Sequence, residues 1–213
     1  MNELVENCIK FVKDYFKNDF TGHDYFHTLR VYKLASSIAV EENANLELVE
    51  LASLLHDVDD IKISPKTHIN KDNARSFLKK NNVDIQIIDK ICDIIGDISY
   101  KGTETKPSSL LEGRIVQDAD RLDALGAIGI ARAFAYGGSH NRTMHDPDEL
   151  PMLDMTEEEY RNHVSTTINH FYEKLFNLKK LMNTNTAKKI ANSREQYMKE
   201  YIKRFKEEWD GME

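Results

Sequence analysis

Residues 48–57, LVELASLLHD, place Leu48, Leu51, Ala52 and Leu55 at the three- and four-residue spacing that one face of a helix requires. The run ends on His56-Asp57, a polar pair that is costly to bury unless it is partnered or bound to a metal. The same period recurs on both sides of it. Residues 3–17 set Leu4, Cys8, Phe11, Val12, Tyr15 and Phe16 at helical intervals. Thr21-Gly22 then breaks the chain before a long segment that Asp24 is suited to cap, with His27, Val31, Leu34 and Ile38 in one stripe. The helix that holds Leu48 to Leu55 is predicted to start near Asn45.

Further on, segments 68–81 and 84–96 read as two shorter amphipathic helices, and 99–109, SYKGTETKPSS, as a loop. The stretch LLEGRIVQDADRLDALGAIGIARAFAY, residues 110–136, reads as one helix. Its alanines and glycines permit close approach of neighbours and place it in the middle of the domain. Residues 137–155 form a long irregular loop whose length and polarity suit a lid. Two long helices are predicted near 156–182 and 185–209, the first opened by a capping box of Thr156 and Glu159. No run alternates as a strand would, so the expected fold class is all-α, a compact multi-helix arrangement.

Composition narrows the function. The 213 residues suffice to bury a sizeable core, and the balance of 40% apolar to 31% charged residues is that of a globular protein. A net charge of −7 argues against a broad nucleic-acid surface, which needs a basic face, yet leaves room for a small phosphate-bearing substrate. No apolar run approaches the roughly 20 residues of a membrane span. Glu3 and Glu6 stand where a secretory signal would carry basic residues, so a cytoplasmic location is expected. Cys8 and Cys92 are too few for a disulfide framework and read as small packed hydrophobes.

Histidine followed by aspartate occurs three times. His145-Asp146 precedes a proline in a polar loop, where a turn explains it. His23-Asp24 sits at a helix start, where Asp24 can cap. His56-Asp57 instead closes an apolar helix, and His27 shares a stripe with Val31, Leu34 and Ile38. Two such histidines on successive helices, one beside an aspartate, point to metal ligation more than either does alone. Asp118, Asp120 and Asp123, set among Ile115, Val116, Ala119, Leu122 and Leu125, offer a further carboxylate. Periodicity does not choose between Asp118 and Asp120, and strict phase favours Asp118. Imidazoles with carboxylates suit Mn²⁺, Fe²⁺, Ni²⁺ or Zn²⁺ better than an ion that prefers oxygen alone, such as Mg²⁺.

These residues resemble the HD-domain phosphohydrolases, whose pattern is a histidine, a later His-Asp pair and a distant aspartate. The match runs through His27 in HDYFHTLRV, His56-Asp57 in LLHDVDD and Asp120 in QDADRLDALGA. The family's A-D-R-L type segment is what points to Asp120. GHDYFHTLRV, DADRLDALGAIGIARAFAYGG, TINHFYEKLFNLKKLMNT and EEWDG extend the likeness along essentially the whole chain, towards a small single-domain bacterial branch, the YedJ/YpgQ-like proteins. The resemblance implies one domain over 1–213, with a tetrad-bearing core at about 20–135. It further implies a divalent metal held by His27, His56, Asp57 and Asp120, with a second ion bridged by Asp57 left open. The implied activity is hydrolysis of a phosphoester or phosphoanhydride, with a nucleotide or deoxynucleotide as the preferred substrate.

Around that tetrad, Asp60 lies one helical turn after His56 and is a candidate to orient or deprotonate the attacking water, provided the helix continues. His23 is a candidate proton donor to a phosphate or leaving oxygen. Arg30, Lys62 and Arg121 are candidate phosphate clamps, while Asp118 and Asp123 are candidates to hold ligands or cations in place. His68, His140, His145, His163 and His170 carry no role beyond lid or surface. Two alternatives stand beside the hydrolase: a module that senses a nucleotide without turnover, and a structural helical protein whose buried polar groups satisfy one another. The implied partners are a small phosphate substrate and, as an open alternative, a second copy in a homodimer; neither nucleic acid nor membrane is expected.

Overall fold

Side-chain caps set where the first helices begin. In the computed structural model, which describes residues 2–17, 24–61, 63–98 and 106–212, Asn2, Asp24 and Asn45 each turn a side-chain oxygen onto a backbone N–H of the first helical turn. They launch α1 (Glu3–Tyr15), α2 (Tyr25–Glu41) and α3 (Leu46–Leu55). After α4 (Asp72–Lys80), Asp84 does the same for α5 (Ile85–Asp97). Thr21-Gly22, expected to break the chain before α2, lies outside the described residues.

α3 is apolar nearly all round, and it is surrounded accordingly: α1, α2 and α5 pack on it. Leu48, Val49, Leu51, Ala52, Ser53, Leu54 and Leu55 are all buried. Cys8 and Cys92 are buried free thiols, as the apolar patterns around them implied. Burial raises both, Cys92 to about 11, so both stay protonated and serve as packing.

Three predicted segments differ from what the chain forms. The helix expected over 68–81 starts only at Asp72, because Lys71 takes a left-handed conformation (φ 57°) and offers no side-chain cap. Its N-terminus is satisfied from outside: the Asp59 carboxylate accepts from Asn73 N at 3.1 Å and Ala74 N at 2.9 Å.

The single helix expected over 110–136 is two, α6 (Leu111–Asp123) and α7 (Gly126–Ser139). Gly126 turns the corner at φ 74°, a conformation that penalises any side chain. Arg132 on α7 donates to Asp123 at 2.6 Å and ties the two sides of the break together. α7 also absorbs the first residues assigned to the loop. The remainder, 140–155, is irregular but fastened: Thr167 N donates to Thr143 O at 3.0 Å, Ile168 N to Met144 O at 3.1 Å, and Asn169 Nδ2 to Glu149 O at 2.9 Å.

The helix expected over 156–182 is broken as well. The capping box at Thr156 and Glu159 forms and opens α8 (Glu157–Asn162), but His163 is extended and ends it. Thr166 caps a new start, α9 (Thr167–His170), which widens into a π turn over Phe171–Leu175. The short α10 (Phe176–Leu178) and a 3₁₀ turn at Lys179–Leu181 follow, before α11 (Asn185–Trp209).

Every regular element among the described residues is helical, as the periodicity required. These residues fall into two compact units. One holds α1 to α5 with the first ten residues of α6, and the other holds the rest of the chain. Among the described residues no helix is long and apolar enough to cross a membrane.

Candidate metal centre

The first unit brings four polar side chains to one point. His27 is the third residue of α2. Its backbone N–H is held by the Asp24 cap at 2.7 Å, and its imidazole shares the buried face of Thr28, Val31 and Ala35. His56 ends α3, where its Nδ1 sits 2.7 Å from the Ser53 carbonyl. A carbonyl can only accept, so Nδ1 carries a proton and Nε2 is the atom left to take up a metal or a second proton. That Nε2 is buried with no hydrogen-bond partner. Asp57 follows in a turn, and Asp120 comes from α6 with its side chain one-third exposed.

The donor atoms converge. His27 Nε2 lies 3.4 Å from both Asp57 Oδ2 and Asp120 Oδ1. His56 Nε2 lies 3.2 Å from Asp57 Oδ2 and 4.0 Å from Asp120 Oδ1. Ligands about 2.1 Å from one ion, at angles of 90–110°, are themselves about 3.0–3.5 Å apart. Three of the four separations fall in that window, and the fourth, His56 to Asp120 at 4.0 Å, is wider. His27, His56 and Asp57 form the one such cluster of His, Cys, Asp or Glu among the described residues.

A lone pair facing a carboxylate oxygen across 3.2 Å is repulsive without positive charge between them. The electrostatics agree. Burial works against a charge on His56, but Asp57 and Asp120 outweigh it and hold the imidazole above its ordinary value. Burial likewise opposes ionisation of Asp120, yet the hydrogen bond from His27 and the charges of both histidines hold its carboxyl below the usual range. The orphaned Nε2, the paired carboxylates and the mixed N/O donor set fit a divalent cation of the first transition row. The Ser53 carbonyl supplies the outer bond that orients the His56 imidazole, while Asp24 fixes the His27 backbone as the cap of α2.

The other candidates are distributed as follows. α3 stops at Leu55, so Asp60 is not one helical turn beyond His56. The chain instead folds back, with Asp60 N donating to Asp57 O at 3.1 Å and the Asp60 side chain half-buried. His23 and Lys62 lie outside the described residues. Arg30 is half-buried, one turn along α2 from His27. Arg121 is buried, and its guanidinium donates to the Leu181 carbonyl. Asp118 is fully buried, and Asp123 pairs with Arg132.

Of the remaining histidines, His68 bonds the Asp59 carbonyl at 2.9 Å and His163 bonds Glu173 at 3.0 Å. His145 packs edge-on to Phe205 and Trp209. His170 is depressed to about 3 by burial and by Lys174 and Arg142. Sequence reasoning passed over Asp59, Tyr15 and Asn73, which hold the turn after the His-Asp pair. Asp59 was in plain view in LLHDVDD, but its partners lie 14 and 15 residues away.

Residues 24–125, which contain all four converging side chains, match the HD domain family model. The chain is 31% identical to the Bacillus subtilis protein YpgQ, with 100% of this chain and 98% of that one aligned. The structure of an HD-superfamily hydrolase from Bacillus thuringiensis superposes with a TM-score of 0.77 at 41% identity, covering 97% of this chain and 96% of the other. That of B. subtilis YpgQ in complex with ADP superposes with a TM-score of 0.75 at 30% identity, covering 96% and 97%. With its fold, its His-Asp pair and its full-length relatives in agreement, the chain belongs to the HD superfamily of hydrolases.

Proposed function

We propose that this protein is a divalent-metal-dependent phosphohydrolase acting on a nucleotide or deoxynucleotide, cleaving a phosphoester or phosphoanhydride bond. The observation that carries the reading is the buried, unpartnered Nε2 of His56 aimed at two carboxylates and a second imidazole. His27, His56, Asp57 and Asp120 would hold the metal, with Mn²⁺, Fe²⁺, Ni²⁺ or Zn²⁺ preferred over Mg²⁺. When bound, such an ion supplies an acidified water and offsets charge on phosphoryl oxygens.

The chain's own side chains do the rest. Asp60, at the mouth of the turn that carries Asp57, orients the water and takes up its proton. Arg30, one turn beyond His27 on α2, offers a guanidinium that pairs with phosphate oxygens in two places at once. His23 as proton donor, with Lys62 and Arg121 as further cations, completes the proposed set. The ADP held by YpgQ supports a nucleoside phosphate as the substrate class.

The test is metal analysis of the purified protein together with phosphate and pyrophosphate release from a panel of nucleotides and deoxynucleotides in Mn²⁺. Turnover of one class, lost on chelation and restored by metal, is the expected result. Bound metal and bound nucleotide without release across the panel would replace the hydrolase with a sensing module.

The site also fixes a pH dependence. In the metal-free protein the raised His56 imidazole holds its proton to a pH above the ordinary value of about 6.5, and that proton competes with the metal. The protonated form adds stability that is fully present below about pH 6.5 and is lost as pH rises through the raised value. The gap in melting temperature between Mn²⁺-loaded and chelated protein is therefore expected to widen from pH 6 to pH 8. A gap that stays constant or narrows over that range, measured by scanning fluorimetry, would contradict the His56 assignment.

A further inference from the structure

The turn that carries Asp57 has little backbone structure of its own. It is non-helical: among the described residues its backbone bonds are Val58 N on Leu55 O at 3.3 Å and Asp60 N on Asp57 O at 3.1 Å, with Ile63 N and Ser64 N on the Asp60 carbonyl at its far end. A ligand on such a turn drifts unless something else fixes the peptide units on its far side, and a metal site tolerates little drift. Side chains from two distant segments do that fixing. The Asn73 amide donates to the Val58 carbonyl at 2.9 Å, and also reaches Tyr15 Oη at 3.1 Å and Thr67 Oγ1 at 3.0 Å. The Tyr15 hydroxyl lies 3.0 Å from the same Val58 carbonyl and bonds Ser64 Oγ. Meanwhile the backbone N–H of Asn73 holds the carboxylate of Asp59, the next residue in the turn.

Val58 and Asp59, which directly follow the His-Asp pair, are thus pinned by one residue acting through both its side chain and its backbone. We infer that Asn73, supported by Tyr15, is a positioning residue for the metal centre, setting the turn that presents Asp57 to His27 and His56. This inference rests on the metal reading above. Asparagine suits the place because its amide supplies two N–H donors to a cluster made of carbonyl and hydroxyl oxygens. Aspartate would set a carboxylate against the Val58 carbonyl, and alanine would leave that carbonyl to Tyr15 alone and cut the tie from the turn to α4 made by the side chain.

A structural tether alone would change stability, whereas a positioning role changes how well the ion is held. Mn²⁺ affinity of the full chain, read from the electron paramagnetic resonance of free Mn²⁺, separates the two. Four proteins are compared: wild type, Asn73→Ala, Tyr15→Phe and Leu78→Ala. The last loses buried packing from the same helix α4, five residues beyond Asn73, and removes no polar group. Asn73→Ala is expected to bind Mn²⁺ about 10- to 100-fold more weakly, the range usual for loss of an outer partner of a metal ligand. Tyr15→Phe should shift in the same direction by less, because Asn73 still serves the Val58 carbonyl. Leu78→Ala should lower the melting temperature yet keep Mn²⁺ affinity within about twofold of wild type.

Wild-type affinity in Asn73→Ala, or an equal loss in Leu78→Ala, would overturn the inference. Should Asn73→Ala fail to fold, Tyr15→Phe decides, and unchanged affinity there overturns it. A wild-type protein that takes up no Mn²⁺ removes the metal reading itself, an outcome distinct from any of these.

Discussion

Asp57→Ala is expected to abolish both metal uptake and phosphate release while leaving the metal-free fold close to wild type. Asp57 Oδ2 is the atom that lies within 3.4 Å of both imidazole nitrogens, at 3.2 Å from His56 and 3.4 Å from His27. Its removal takes away one donor and one of the two negative charges that offset an ion. The remaining carboxylate, Asp120, stands 4.0 Å from His56 and is one-third exposed, so it cannot take over both contacts. The loss in metal affinity should exceed the roughly 100-fold that removing an outer partner costs, because a direct ligand is gone. In the metal-free protein above the raised His56 value the effect is small, since His56 is already a neutral, buried ring there; below that value the variant also forgoes the stability of the protonated pair. The melting-temperature rise on adding Mn²⁺ should therefore vanish in the variant. Near-wild-type Mn²⁺ binding by Asp57→Ala would remove the centre from the place assigned to it.

Gly129→Ala is expected to be the most destabilising single-methyl change in α7. A Cβ at Gly129 would meet the Ala124 carbonyl oxygen at 2.2 Å, and the obstacle is backbone at the corner between α6 and α7, not a side chain able to swing away. Overpacking of that kind costs about 3 kcal/mol, which in a chain of this size lowers the melting temperature by roughly 6–12 °C. Gly138→Ala, in the same helix with nothing within 4 Å of the added methyl, is the matched control. It should be neutral or stabilising by up to about 1 kcal/mol through helix propensity alone. Thermal melts that rank the two variants equally would show that the corner is not tightly set by Gly129.

The corner also marks where sequence reading gave out. Residues 110–136 are rich in alanine and carry apolar residues at helical spacing throughout, so nothing in the pattern announces a stop. The stop depends on one φ angle at Gly126 and one backbone approach at Gly129, neither of which is a property of composition. The same holds from 163 to 181, where the apolar period runs on although His163 is extended and the chain widens into a π turn. Where a polar side chain caps locally, the starts were legible, as at Asp24, Asn45 and Thr156.

The centre was legible for a related reason. His27 and His56 are polar residues on stripes that are otherwise apolar, and a stripe is readable from spacing. Between Asp118 and Asp120 periodicity did not choose, strict phase lay nearer Asp118, and the family resemblance indicated Asp120. Asp120 Oδ1 is the oxygen 3.4 Å from His27, while Asp118 is fully buried. Tyr15, Asn73 and the capping role of Asp59 stayed invisible, since each acts across 14 to 58 residues of chain.

The length of α3 has a chemical meaning. Because the helix stops at Leu55, the Ser53 carbonyl is among the last four, which no following helical N–H can claim. The His56 ring takes it instead. Had the chain wound on for one more turn, the amide of residue 57 would compete for that oxygen, and the bond that tells the ring which of its two nitrogens keeps the hydrogen would weaken. Helix-favouring substitutions at 58 and 59 would thus weaken the proposed metal site without altering a single donor atom among His27, His56, Asp57 and Asp120: the address of one hydrogen is written in where a helix ends.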